Sequence, residues 1–257
     1  MFISKLVRAA LLSAVSFMMP VASFAAGPAV KTVLLVHGAW ADGSSWSRVI
    51  PLLQARGLHV VSVQIPLTSL ADDVAATQRA IALETGPLLL VGHSYGGVVI
   101  SQAGNDPKVA GLVFVAAYAP DEGQSGLSLA KANPTPIGNE IGLPDAFGFL
   151  KLTRTGIFQD FASDLSNLEK SILWATQVPT SVNSLAAPLP VAPAWKTKPN
   201  WFIVASRDRV ISPQLEALEA QQMNATTLTL PACHVVMLED PFPVANFIED
   251  ASESLSH

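Results

Sequence analysis

The chain predicts an α/β architecture, a mainly parallel sheet covered by helices on both faces. Three observations carry this expectation. Short apolar runs without polar alternation recur along the sequence, as strands buried on both faces require. Helical patterns separate most of these runs. Finally, the run Leu88-Leu89-Leu90-Val91 breaks abruptly at Gly92, and a new apolar pattern (Val98, Val99, Ile100, Ala103) starts just after Gly97. Alternation of strand with helix implies right-handed crossovers and parallel neighbours.

In chain order, residues 1 to 26 stand apart. Lys5 and Arg8 precede an uncharged run from Ala9 to Met19, followed by Pro20 and a small-residue stretch ending at Ala25-Ala26. This is the pattern of a secretory signal peptide, with Ser23 and Ala25 suited to the −3 and −1 positions, and its apolar core is about half of the ~20 residues a spanning helix needs. A periplasmic or secreted protein is expected, with no membrane attachment after cleavage. Cys233 is the single cysteine, so no internal disulfide is available and stability must come from the core.

Lys31 to His37 reads as a buried strand, followed by a helix from about Ser45 to Arg56. Asp42 or Ser44 could cap that helix, Pro51 would disturb it and Gly57 would end it. Further strands are expected at 58–63, 88 up to the break at Gly92, 109–117, 201–206 and 226–230, with helices at 71–84 and about 243–252. The alternation lapses between Pro120 and Pro199, where nine of the 19 prolines fall together with Phe147, Phe149, Phe158, Phe161 and Trp174. Eighty residues are too many for a loop. A mostly helical cap is expected over about 120–199, with a helix from about Gln159 to Thr176, inserted into a single domain spanning 27–257. Its aromatics need a surface to pack on, and the C-terminal edge of the sheet offers one.

The break after Val91 carries the chemistry. Gly92-His93-Ser94-Tyr95-Gly96 fits G-x-S-x-G between a strand and a helix, a context that presents the serine hydroxyl above the sheet. The glycines on either side leave room for so sharp a turn. The Tyr95 N–H, at the start of the new helix, would face an oxyanion formed at Ser94. A second such donor is expected at Ala39, in the loop His37-Gly38-Ala39-Trp40, where Gly38 permits an unusual turn.

A serine hydroxyl is a poor nucleophile until a base takes its proton. Among five histidines, His234 lies in the loop after the 226–230 strand, at the same sheet edge as Ser94, and is the expected base. His37 more naturally organises its own loop, and His93 faces away from the direction of attack. The acid that orients the base should follow another strand at that edge. Asp208, in the exit loop Ser206 to Pro213, is first choice. Asp121 and Glu122, after the 109–117 strand, are rivals, whereas Glu239 and Asp240 are better placed to cap the last helix.

Composition narrows the partners. A formal net charge of −5 without basic clusters argues against nucleic acid and anionic lipid. Arg154 is the only arginine between Arg79 and Arg207, so no cluster is available to clamp a polyanion. No two histidines are spaced as metal ligands, and neither the dinucleotide nor the phosphate-loop glycine pattern occurs. No metal and no cofactor are expected.

These residues resemble the α/β-hydrolase superfamily, whose triad runs in the chain order serine, acid, histidine, as Ser94, Asp208 and His234 do. Within it, the stretches Val33 to Trp40, Val91 to Gly97, Trp201 to Pro213 and His234 to Ile248 are similar to those of small esterases related to plant methylesterases and hydroxynitrile lyases. Cys233 departs from the pattern, since many relatives have glycine there; a thiol beside the base would sensitise activity to oxidation. The resemblance implies a serine hydrolase, a carboxylesterase acting on a small neutral ester through an acyl-enzyme. Its alternatives are a non-catalytic small-molecule receptor on the same scaffold and a lyase of the superfamily.

Overall fold

A computed structural model describes residues 30–255. The expected signal peptide lies outside the described residues. No helix among them is long and apolar enough to cross a membrane.

The elements in chain order are β1 (Thr32–Val36), α1 (Ile50–Ala55), β2 (His59–Val63), α2 (Leu70–Leu83), β3 (Leu88–Ser94), α3 (Gly96–Ala103), β4 (Val109–Ala117), α4 (Gly126–Ala132), β5 (Phe149–Leu150), α5 (Asn167–Thr176), β6 (Thr180–Ser181), α6 (Val182–Ala186), β7 (Asn200–Ala205), α7 (Pro213–Gln222), β8 (Thr226–Leu230), α8 (Val236–Glu239) and α9 (Pro241–Ser254). Six strands form one parallel sheet in the order β2-β1-β3-β4-β7-β8. Residue composition explains this order. The continuous apolar runs of β1, β3, β4 and β7 fill the centre, where Leu34, Leu89, Val113 and Phe202 are fully buried. Ser62 of β2 and the threonines of β8 lie on strands that are exposed in part, and these form the two edges.

The step from β1 to β2 runs one way across the sheet, and the steps from β2 to β3 and β3 to β4 run the other. Right-handed crossovers therefore put α1 on one face and α2 and α3 on the opposite one. Accordingly α2 packs against α3, and α1 against α9. Because all six strands are parallel, their C-terminal ends share one edge. The loops after β1, β3, β4, β7 and β8 meet there.

Several expectations need correction. The helix expected over 45–56 is a 3-10 turn at Gly43–Trp46 followed by α1. Asp42 caps that turn by accepting the Ser44 N–H at 2.7 Å, and Pro51 falls in the first turn of α1, where its missing N–H costs nothing. The helix expected over 159–176 is also two pieces, a π-helical turn at Gly156–Phe161 and then α5. Ser166 and Glu169 form a reciprocal capping box that starts α5 afresh. Within the segment expected to be mostly helical, between β4 and β7, the two-residue strands β5 and β6 also pair antiparallel. This pair is tied to the main body: Trp40 donates its backbone N–H to Thr180 Oγ1 (2.9 Å) and its indole N–H to the Leu150 carbonyl (3.2 Å).

Candidate active site

Ser94 ends β3 with φ +54°, a left-handed conformation that costs a non-glycine residue on the order of 1–3 kcal/mol. The glycines flanking it are required by contact. A Cβ at Gly92 would lie 2.7 Å from the Gly96 carbonyl oxygen, and one at Gly96 would lie 2.7 Å from that of Val36 and 2.8 Å from that of His37. So tight a turn lifts Ser94 Oγ off the strand end toward the loop after β8.

There it meets His234. His234 Nε2 lies 2.9 Å from Ser94 Oγ, and His234 Nδ1 lies 2.6 Å from Asp208 Oδ2. Asp208 Oδ1 accepts the N–H groups of Val210 (2.6 Å) and Ile211 (3.0 Å), which hold the carboxylate in place. All three side chains are buried. The imidazole sits between the Phe161 ring, 5.2 Å away edge-on, and the His93 ring, 4.6 Å away. The three residues expected from sequence are therefore brought together in one hydrogen-bonded line.

The rivals are elsewhere. Asp121 is bound to Lys196 at the surface, and its carboxyl is held below its usual range first by that hydrogen bond. Glu239 does not cap α9: it accepts the Cys233 N–H and pairs with Arg207. Asp240 stands at the N-terminus of α9 without a side-chain cap bond. Arg209 pairs with Asp160, leaving Asp208 to the imidazole.

His37 Nε2 accepts the Ile65 N–H (3.1 Å), so Nδ1 carries the proton and donates to the Gly38 carbonyl (2.9 Å), fixing the loop that bears Ala39. Burial pushes the His37 imidazole below its ordinary pKa. Gly38 is needed for space, since a Cβ there would lie 2.6 Å from Ser94 Cβ; the unusual φ belongs to Trp40 instead (+57°). Neither the Ala39 nor the Tyr95 N–H donates to an acceptor among the described residues. Both residues line a cavity of about 480 Å³ that opens onto Ser94, walled by Leu127, Ala130, Ile137, Ile141, Leu185 and Val210.

Two supporting residues escaped the sequence reading. His93 donates Nε2–H to the His234 carbonyl (3.0 Å), and burial drives its pKa far down, so it stays neutral. Asp73 of α2 accepts the Tyr95 hydroxyl (2.8 Å), the Leu67 N–H (2.7 Å) and the Ser184 hydroxyl (3.2 Å), joining α2, the turn at Ser94 and α6. Asp73 stands in the first turn of α2 after Ser69 and Asp72, a position where an acid ordinarily faces water, so no sequence signal singles it out. Cys233 is fully buried and its thiol is pushed up to about 12 by burial, so it lacks the thiolate that oxidation requires. Its sulfur lies near Asp164 and Glu239, but Arg207 already pairs with both carboxylates (3.0 and 2.7 Å), which leaves little of their charge for a cation.

The alpha/beta hydrolase family profile matches residues 33–247. The chain belongs to the alpha/beta hydrolase family. It is 26% identical over 253 residues to a pyrethroid hydrolase of Sphingobium wenxiniae, covering 88% of this chain and 89% of that one. With Methylesterase 8 of Arabidopsis thaliana the identity is also 26%, over 205 residues, 71% of this chain and 74% of that one. Among solved structures, the pyrethroid hydrolase of Sphingobium faniae superposes with a TM-score of 0.74 at 22% identity, over 87% of this chain and 97% of that one. The fold expected from the sequence is the fold of this hydrolase family.

Proposed function

We propose that the protein is a serine carboxylesterase, exported to the periplasm or secreted, that cleaves small neutral esters through an acyl-enzyme. The observation that carries this reading is the unbroken line Asp208–His234–Ser94 opening onto an apolar cavity. His234 Nε2 accepts the Ser94 proton as Oγ attacks the ester carbonyl, and Asp208 holds Nδ1–H so that the ring presents the correct nitrogen. The oxyanion of the tetrahedral intermediate takes the free N–H groups of Ala39 and Tyr95, each worth about 10²–10³ in rate in such a site. His234 then returns the proton to the leaving alcohol. Water, deprotonated by the same nitrogen, releases the acid.

The cavity wall argues for the substrate class. Its lining is mostly apolar, and among the described residues it carries no arginine and Lys131 as its single cation, so a neutral apolar acyl or alcohol group fits better than a polyanion. The 120–199 segment acts as the cap that shapes this wall. The hydrolase and esterase names of the relatives support ester cleavage as the reaction. A chain-length series of nitrophenyl esters, with Ser94→Ala as blank, tests the proposal. Turnover should require Ser94 and favour uncharged esters; retention of activity within a few-fold in Ser94→Ala, or a preference for multiply charged esters, would overturn it.

A further inference from the structure

Two acids on α7 take no part in the chemistry above. Glu216 and Glu219 are 0% and 3% exposed, although carboxylates are almost never fully buried without a partner. Glu216 lies on the first turn, behind Asp208. Its Oε2 accepts the Ala205 N–H at 2.9 Å, while its Oε1 has no donor to accept from. The side chain is within hydrogen-bond reach of Asp208. Among the described residues no cation intervenes, because Arg207 and Arg209 turn away to Asp164, Glu239 and Asp160.

Two carboxyl groups in contact and shut off from water cannot both be ionised. The partners decide which one keeps the proton. Asp208 has two N–H donors on one oxygen and the His234 imidazole on the other, whereas Glu216 has a single N–H. The negative charge therefore settles on Asp208. We propose that Glu216 is a neutral carboxylic acid whose Oε1–H donates a hydrogen bond to the Asp208 carboxylate, extending the line to Glu216–Asp208–His234–Ser94. Burial and the neighbouring Asp208 and Glu219 push Glu216 well above the usual carboxyl range, in the direction this assignment needs. Tyr118, which lies near Asp208, Glu219 and Glu216, is pushed up as well and stays neutral. Glu216 is thus a positioning residue: it fixes the carboxylate that fixes the base.

This role rests on Ser94, His234 and Asp208 acting as proposed above, and it is separable from them. Infrared spectra at neutral pH should contain the C=O stretch of a buried protonated acid that disappears in Glu216→Gln, with Glu219→Gln removing its own band as a control. That readout does not depend on turnover. In kinetics, Glu216→Leu deletes the donor and should lower kcat by about 10- to 100-fold, the usual effect of losing a hydrogen bond to a charged group. Glu216→Gln keeps an N–H donor and should rescue most of that loss, with the acid limb of kcat/KM unmoved. An ionised Glu216 predicts otherwise: no acid band would be lost, and Glu216→Gln would remove a negative charge and shift the acid limb to lower pH. Either result overturns the proposal, even if Glu216→Leu fails to fold. Activity surviving in Ser94→Ala would instead sink the catalytic reading and leave the infrared result standing.

Discussion

At Asp208 one carboxylate is asked to do two things, to hold His234 by Oδ2 and to stay fixed by the two N–H groups at Oδ1. Removing its charge leaves the fold intact but releases the imidazole to the wrong tautomer, so Asp208→Asn should lower kcat by about 10³–10⁴. Asp121→Asn, which alters only a surface pair with Lys196, should change kcat less than about threefold, the scale of a surface ion pair. Steady-state kinetics on a nitrophenyl ester separates them, and the reverse ranking would move the acid. Ser94, His234 and Asp208 were legible in the sequence because each follows a strand that ends at the same edge. Asp73 and Glu216 were not legible. Both sit in first turns of helices, where an acid ordinarily caps or faces water, and only the packing of α2 and α7 against the sheet shows that their carboxyls point inward. At Gly38 the sequence suggests backbone freedom, whereas what the glycine supplies is room for the Ser94 side chain.

Among the elements, the turn joining β3 to α3 is the most constrained. Gly96 opens α3 against the carbonyl oxygens of Val36 and His37, which are backbone atoms of the neighbouring strand end and cannot swing aside. Gly96→Ala should therefore cost about 1–3 kcal/mol, the penalty of overpacking a filled site, and should also lower kcat by displacing Ser94. Gly86→Ala, with open space around the added methyl, should leave both within error. Denaturant unfolding of the two variants decides this, and equal midpoints would contradict the packing argument. The strands were legible here because uninterrupted apolar runs have few alternative uses. Helix ends were less so: apolar residues continue through Leu165, and the break before α5 is marked only by the Ser166 and Glu169 pair. Two-residue strands such as β5 and β6 are too short to leave any periodicity.

For the whole molecule, buried titratable groups set opposite limits on stability. His37 and His93 are pushed below the ordinary imidazole value of 6.5 by burial, so their contribution is full above that pH and is lost as pH falls. Glu219 is raised from 4.5 to about 8, mainly by burial, and Glu216 moves in the same direction. A raised carboxyl contributes stability that is full below its unfolded value and is lost as pH climbs through the folded one. Each such group removes about 1.4 kcal/mol per pH unit across that window. The melting temperature should fall between pH 6.5 and about 8, and Glu219→Gln should flatten that fall; a melting temperature that is level or rising over the range would contradict it. The covalent bond proposed to form at Ser94 can be trapped by acid quench and read by mass spectrometry on a slowly deacylated ester. The predicted result is the mass of one acyl group on the peptide containing Ser94, absent from Ser94→Ala. Turnover of the same ester with the acyl group on another residue, or on none, would contradict the account.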